Sequence, residues 1–121
     1  MSAQPEIDRL RRLYGAFNAR EIEAVLEQMS PDVDWPNAWE GGRVTGRDAV
    51  RDYWRRQWAV IDPSVEPVDF LVRPDGSIAV EVAQTVRAID GTLLGENRVR
   101  HVYRLSDGLI ARMDVEDVDR V

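Results

Sequence analysis

The chain predicts an α+β domain, and three observations carry that expectation. Apolar residues recur at helical spacing through the first half. They alternate at strand spacing through the second half, between tight-turn signals. No stretch reads as a linker, a repeat or a low-complexity segment, so residues 1–121 are expected to form one domain. Helices first and a strand meander afterwards place three N-terminal helices on one face of a mainly antiparallel sheet.

The first helix starts at Pro5, which the first helical turn tolerates, with Glu6 and Asp8 at the positive helix end. Ile7, Leu10, Leu13, Tyr14 and Phe17 form its apolar stripe, and Asn18-Ala19-Arg20 breaks the pattern. A short second helix follows, with Ile22, Val25, Leu26 and Met29 inward. Ser30-Pro31 ends it, because the residue before proline avoids the helical region. Asp32 to Asn37 reads as a strand with Val33, Trp35 and Asn37 on one face, and Pro36 places it at an edge or bulge. Glu40-Gly41-Gly42-Arg43 is a turn. A third helix runs from Arg47 to about Ile61 on the stripe Val50, Tyr53, Trp54, Trp58, Ile61, and Asp62-Pro63 stops it. Strands are then expected over Val65 to Arg73, Ile78 to Ile89, Leu93 to Leu105 and Leu109 to Val118. The turns between them are Pro74-Asp75-Gly76, Asp90-Gly91 and Ser106-Asp107-Gly108.

Composition removes whole classes of chemistry. There is no cysteine, so disulfides, thiolate nucleophiles and thiolate metal sites are excluded. All 16 basic residues are arginine, so no lysine can form a Schiff base. A single histidine, His101, rules out a metal site built on several imidazoles of one chain, and neither a metal nor a cofactor is expected. The net charge of -6 and the scattered arginines argue against a nucleic-acid partner. No apolar run is long enough to span a bilayer and no secretory signal is visible, so no membrane partner and a cytoplasmic location are expected.

Alternation places His101 on a strand face with Val99, Tyr103 and Leu105, while Arg98, Arg100 and Arg104 take the other face. An imidazole turned into an apolar cavity has a lowered pKa and suits acid–base work; it is equally consistent with a hydrogen-bonded core histidine. Asn37 could orient a water or a carbonyl through its amide, or simply be a turn residue after Pro36. Parity turns Met113 and Val115 inward and leaves Asp34 and Asp114 outward as solvated carboxylates. Trp35, Trp39, Trp54 and Trp58 cluster between the first strand and the third helix. They either fill a core or, with Tyr14, Tyr103 and Met113, line a pocket for a small, flat, apolar ligand.

Four segments in order, Tyr14 to Arg20, Met29 to Trp35, Gly46 to Val50 and Asp107 to Arg112, resemble the nuclear-transport-factor-2-like superfamily and its SnoaL-like domains. The resemblance covers nearly the whole chain. It implies a cone-shaped fold, a strongly curved sheet enclosing one deep pocket, and a homodimer packed through the outer sheet face, where Glu81, Arg87, Arg98, Arg100 and Arg104 would lie. It implies no single function, because the superfamily holds cyclases, isomerases, dehydratases, epoxide hydrolases and binding domains. His101 falls near the protonated aspartate of the ketosteroid isomerase oxyanion hole, and Asn37 near that family's general-base aspartate. Asparagine is a poor proton acceptor, which puts the isomerase mechanism in doubt. Asp114 lies close to the aspartate that SnoaL-like cyclases use beside a histidine. Two expectations follow: a cofactor-free lyase, isomerase or cyclase acting on a small apolar carbonyl compound through His101 and Asn37, or non-catalytic binding of a small hydrophobic ligand.

Overall fold

The computed structural model describes residues 3–37 and 40–117, the last by its backbone alone. Its elements run α1 (Gln4–Asn18), α2 (Ile22–Leu26), β1 (Met29–Pro36), β2 (Arg43–Thr45), α3 (Arg47–Trp58), β3 (Ile61–Val72), β4 (Ile78–Ala88), β5 (Leu93–Ser106) and β6 (Leu109–Asp117). The strands form one curled, open sheet in the order β2-β1-β6-β5-β4-β3, and only the β1–β6 pairing is parallel. The α+β expectation therefore holds, and the three helices precede the long meander.

Three boundaries differ from the sequence reading. Ser30-Pro31 lies inside β1, not at the end of a helix, and α2 stops at Leu26. Helix α3 ends at Trp58, and Asp62-Pro63 belongs to β3. A strand can hold Pro63 and Pro67 because β3 is an edge, where an absent N–H leaves no ladder bond unmade. The expected turn Glu40 to Arg43 leads into a short strand, β2, that the sequence reading does not contain; it pairs Val44 with Trp35 and closes the opposite edge.

Sheet and helices meet on one face. Register puts Ile78/Tyr103, Val80/His101, Val82/Val99 and Gln84/Asn97 opposite each other on the inner side of β4 and β5. Leu10, Leu26 and Val50 of the helices and Met29, Val33, Val80 and Ile110 of the sheet are fully buried between the two layers. Bulges between Pro67 and Asp69 and between Arg104 and Leu105 add local twist to the long strands. The outer face is a lattice of ion pairs. Arg98 meets Glu81, and Arg73 and Arg100 share Glu116.

Two side chains pin the helices. The Asn18 amide donates to the Val65 carbonyl at 2.7 Å and accepts from the Val65 N–H at 2.9 Å, so α1 docks on β3 as a further strand residue would. Arg47 at the start of α3 donates its Nε to the Met29 carbonyl at 2.9 Å.

Gly46 caps α3 at φ 92°, and its N–H donates to the Val33 carbonyl at 2.8 Å. That φ is strained for any L side chain. Gly15 lies inside α1, and a Cβ there meets nothing within 4 Å. Gly46→Ala should lower the unfolding free energy in urea by about 1–3 kcal/mol, whereas Gly15→Ala should raise it by about 0.5–1 kcal/mol.

Candidate functional site

A cavity of about 240 Å³ opens between the concave sheet face and helices α1 and α3. Helix α1 contributes Leu13, Tyr14 and Phe17, and α3 contributes Tyr53, Trp54 and Gln57. Strand β1 supplies Trp35, β3 supplies Pro63 and Val65, and β5 supplies Asn97, Val99, His101 and Tyr103. Gln84, Met113 and Val115 complete the sheet side. Among the described residues, no carboxylate and no guanidinium lines the cavity.

Three polar groups meet at its inner wall. The Tyr103 hydroxyl donates to the Tyr14 oxygen at 2.7 Å. Tyr14 in turn lies 2.8 Å from Nδ1 of His101. Giving every donor in the series an acceptor places the Tyr14 proton on the line to Nδ1, and this assignment leaves the proton of the neutral imidazole on Nε2. The cavity is thus presented with an N–H donor whose orientation is set from behind by two phenols. The rings share this geometry: Tyr14 lies parallel to His101 at 5.9 Å between centroids, and Tyr103 stands edge-on to both.

Burial decides the charge state of all three. It pushes the His101 pKa down to about 4, because the charged imidazolium would lose its hydration and no facing carboxylate replaces it. It also raises Tyr14 well above the usual phenol range, with further contributions from neighbouring Tyr103, and raises Tyr103 as well. All three groups are neutral at pH 7.

The expected pocket residues separate under this geometry. Tyr14, Trp35, Trp54, His101, Tyr103 and Met113 all line the cavity. Trp58 does not. It stacks behind Trp54 at 5.7 Å, meets Phe17 edge-on at 5.3 Å, and carries the Arg20 guanidinium 4.9 Å above its ring. Phe17, one turn after Leu13 and Tyr14 on the facing helix α1, stands on the wall instead. Trp39 lies outside the described residues. Asn37 is buried but is not a wall residue. Its Oδ1 accepts from the Glu40 N–H at 2.7 Å and its Nδ2 donates to Glu40 Oε1 at 2.9 Å, so its amide is committed to the loop between β1 and β2. Arg56 and Asn37 together hold the Glu40 carboxyl down to about 2.

Asp34 and Asp114 face outward, as parity required. Each bonds both Arg43 and Arg112, in a closed four-residue ring across β2, β1 and β6. Hydrogen bonds from Arg112 hold the Asp114 carboxyl below its ordinary range. Asp114 therefore does not form a dyad with His101. Gln57, Gln84 and Asn97 were not anticipated as wall residues. For the last two the signal was available: Gln84 and Asn97 keep the inward parity of Val82 and Val99.

The chain belongs to the SnoaL-like domain family, whose model matches residues 10–113. No curated protein matches it. A nuclear-transport-factor-2-like protein of unknown function from Burkholderia pseudomallei is 25% identical, with a TM-score of 0.81 over 96% of this chain and 91% of that one. RV0760c from Mycobacterium tuberculosis, crystallised with estradiol-17β-hemisuccinate, is 21% identical, with a TM-score of 0.79 over 95% of each chain. TerC, co-crystallised with polyporic acid, is 24% identical, with a TM-score of 0.80 over 92% of this chain and 89% of that one. These likenesses agree with the cone-shaped, pocket-forming fold. No described helix is long and apolar enough to cross a membrane.

The buried neutral imidazole makes stability depend on pH. An unfolded histidine takes up its proton near pH 6.5, and His101 in the folded chain does so only near 4. Between those values the unfolded state binds more protons, so stability is full above about 6.5 and is lost as pH falls toward 4. Wild type should lose about 2–3 kcal/mol more than His101→Gln between pH 7 and 4 in urea titrations.

Proposed function

We propose that the cavity binds a small, flat, largely apolar molecule through one carbonyl-type oxygen, which accepts a hydrogen bond from Nε2–H of His101. The observation that carries this reading is the series Tyr103 to Tyr14 to His101 inside a wall that, among the described residues, carries no charged group. Apolar burial supplies affinity, and one oriented donor supplies direction. Trp35 and Trp54, edge-on to each other at 5.6 Å, offer ring surface to a flat ligand. The small organic ligands of RV0760c and TerC, two proteins of the same fold, are consistent with such a use.

A second reading rests on the same donor. A fixed hydrogen bond in an apolar site strengthens when its acceptor gains negative charge. If the ligand carries an enolisable carbonyl, His101 would stabilise the enolate, as a cofactor-free isomerase, lyase or cyclase requires. The proton acceptor would then be water or the substrate itself, because no carboxylate lines the described wall. Asn37 takes no part in either reading. A homodimer through the charged outer sheet face remains part of the proposal. That face carries the Arg98–Glu81 and Arg100–Glu116 pairs, and the family resemblance is what suggests it as the interface.

Wild type should bind 2-acetylnaphthalene about five- to tenfold more tightly than 2-ethylnaphthalene, as one net hydrogen bond implies. His101→Phe should abolish that preference and keep the hydrocarbon affinity. Tryptophan fluorescence reads both. The enzymatic reading further expects the protein to accelerate exchange of the ketone's α-hydrogens in deuterated water, with His101→Phe silent. Binding without exchange would leave the binding function alone.

A further inference from the structure

The cavity has a second polar pole. Gln84 on β4 and Asn97 on β5 are directly paired across the strands, both on the inner face and both on the cavity wall. Among the described residues neither side-chain amide has a hydrogen-bond partner. Gln57, the other amide on the wall, already donates to the Tyr53 hydroxyl at 3.3 Å. Asn97 is exposed and Gln84 half-buried, so this pair stands toward the mouth, while His101, also half-buried, lies further along β5 next to the fully buried Tyr103. Between the two poles lies the apolar pair Val82/Val99.

Strand geometry sets the separation. His101 and Asn97 are four residues apart on β5, which spans about 13 Å along an extended strand. Side chains stand roughly perpendicular to a sheet, so their tips keep about that spacing. Subtracting one hydrogen bond of about 2.9 Å at each end leaves about 7 Å between ligand oxygens. The volume agrees with a short body. An apolar cavity of about 150 Å³ holds one benzene ring, so 240 Å³ accommodates two fused rings and is too tight for a long polycycle buried along its whole length.

We infer that Gln84 and Asn97 form a specificity clamp, and that the ligand is a two-ring apolar molecule with an oxygen function at each end of its long axis. This rests on the binding mode proposed above, with one oxygen on His101. The far oxygen belongs to a neutral group. Two facing amides offer both donors and acceptors, so they satisfy a hydroxyl or a carbonyl equally. A carboxylate there would find no cationic partner among the described wall residues.

The test compares 6-acetyl-2-naphthol with 2-acetylnaphthalene by fluorescence titration, in wild type and in the double variant Gln84→Met/Asn97→Leu. Wild type should prefer the two-oxygen probe about five- to tenfold. The double variant should bring the ratio close to one, and saturable binding of 2-acetylnaphthalene to it shows that the cavity is intact. Asn97→Leu alone, at an exposed position, provides a milder variant and should reduce the ratio in part. A wild-type ratio near one, or a ratio that survives the double variant, overturns the clamp while the His101 binding mode stands. Failure of both probes to bind wild type overturns the clamp and the binding mode together.

Discussion

Two phenols and an imidazole sit within an apolar shell, and each would be costly to bury alone. A hydroxyl without a partner in such a place costs on the order of 1–3 kcal/mol. Tyr103, Tyr14 and His101 avoid that cost by bonding one another in series, across 87 and 89 residues of sequence. The chain joins α1 to β5. It fixes how closely the first helix approaches the sheet, and with it the depth of the cavity. Removing any member strands the next one, which makes the three groups one structural unit as well as the polar end of the site.

The surrounding scaffold holds that unit in place from two directions. Asn18 clamps the end of α1 to Val65 on β3, and Arg47 ties the start of α3 to the end of the α2–β1 connection at Met29. Helix α3 joins β2 to β3, the two opposite edges of the sheet, and so crosses the concave face. That crossing brings Tyr53, Trp54 and Gln57 over the cavity. Charge is kept on the far side. The Arg43, Asp34, Arg112, Asp114 ring and the Arg98 and Arg100 pairs all lie on the outer face, so the field inside comes from oriented neutral dipoles. Under the proposed function, such a site suits discrimination by hydrogen-bond direction and shape rather than by ligand charge.

Much of this was legible in the sequence, and the physical reason is period two. Once β5 alternates Arg98, Val99, Arg100, His101, the inward histidine and the outward Asp114 follow from register alone. The same parity turns Gln84 and Asn97 to the cavity. What escaped was set by tertiary contact. Tyr14 reads as an ordinary stripe residue, and nothing local announces that its hydroxyl meets His101. Trp58 shares a helix face with Trp54, yet one further turn carries it past the cavity to Phe17 and Arg20. Asn37 obeyed the parity rule but answered to stronger local chemistry, since its amide and the Glu40 backbone close a loop over three residues. Helix α3 ended early because an edge strand can contain proline as readily as a helix can stop at it.

The central claim is that His101 is a neutral imidazole with its proton on Nε2, turned toward the cavity. As the chain's single histidine, it gives unambiguous imidazole resonances. A nitrogen-detected NMR titration of imidazole-labelled protein measures both properties at once. The account predicts the Nε2–H tautomer at pH 7 and a protonation midpoint close to 4. A midpoint at or above the ordinary histidine value of about 6.5, or a proton on Nδ1, would contradict it.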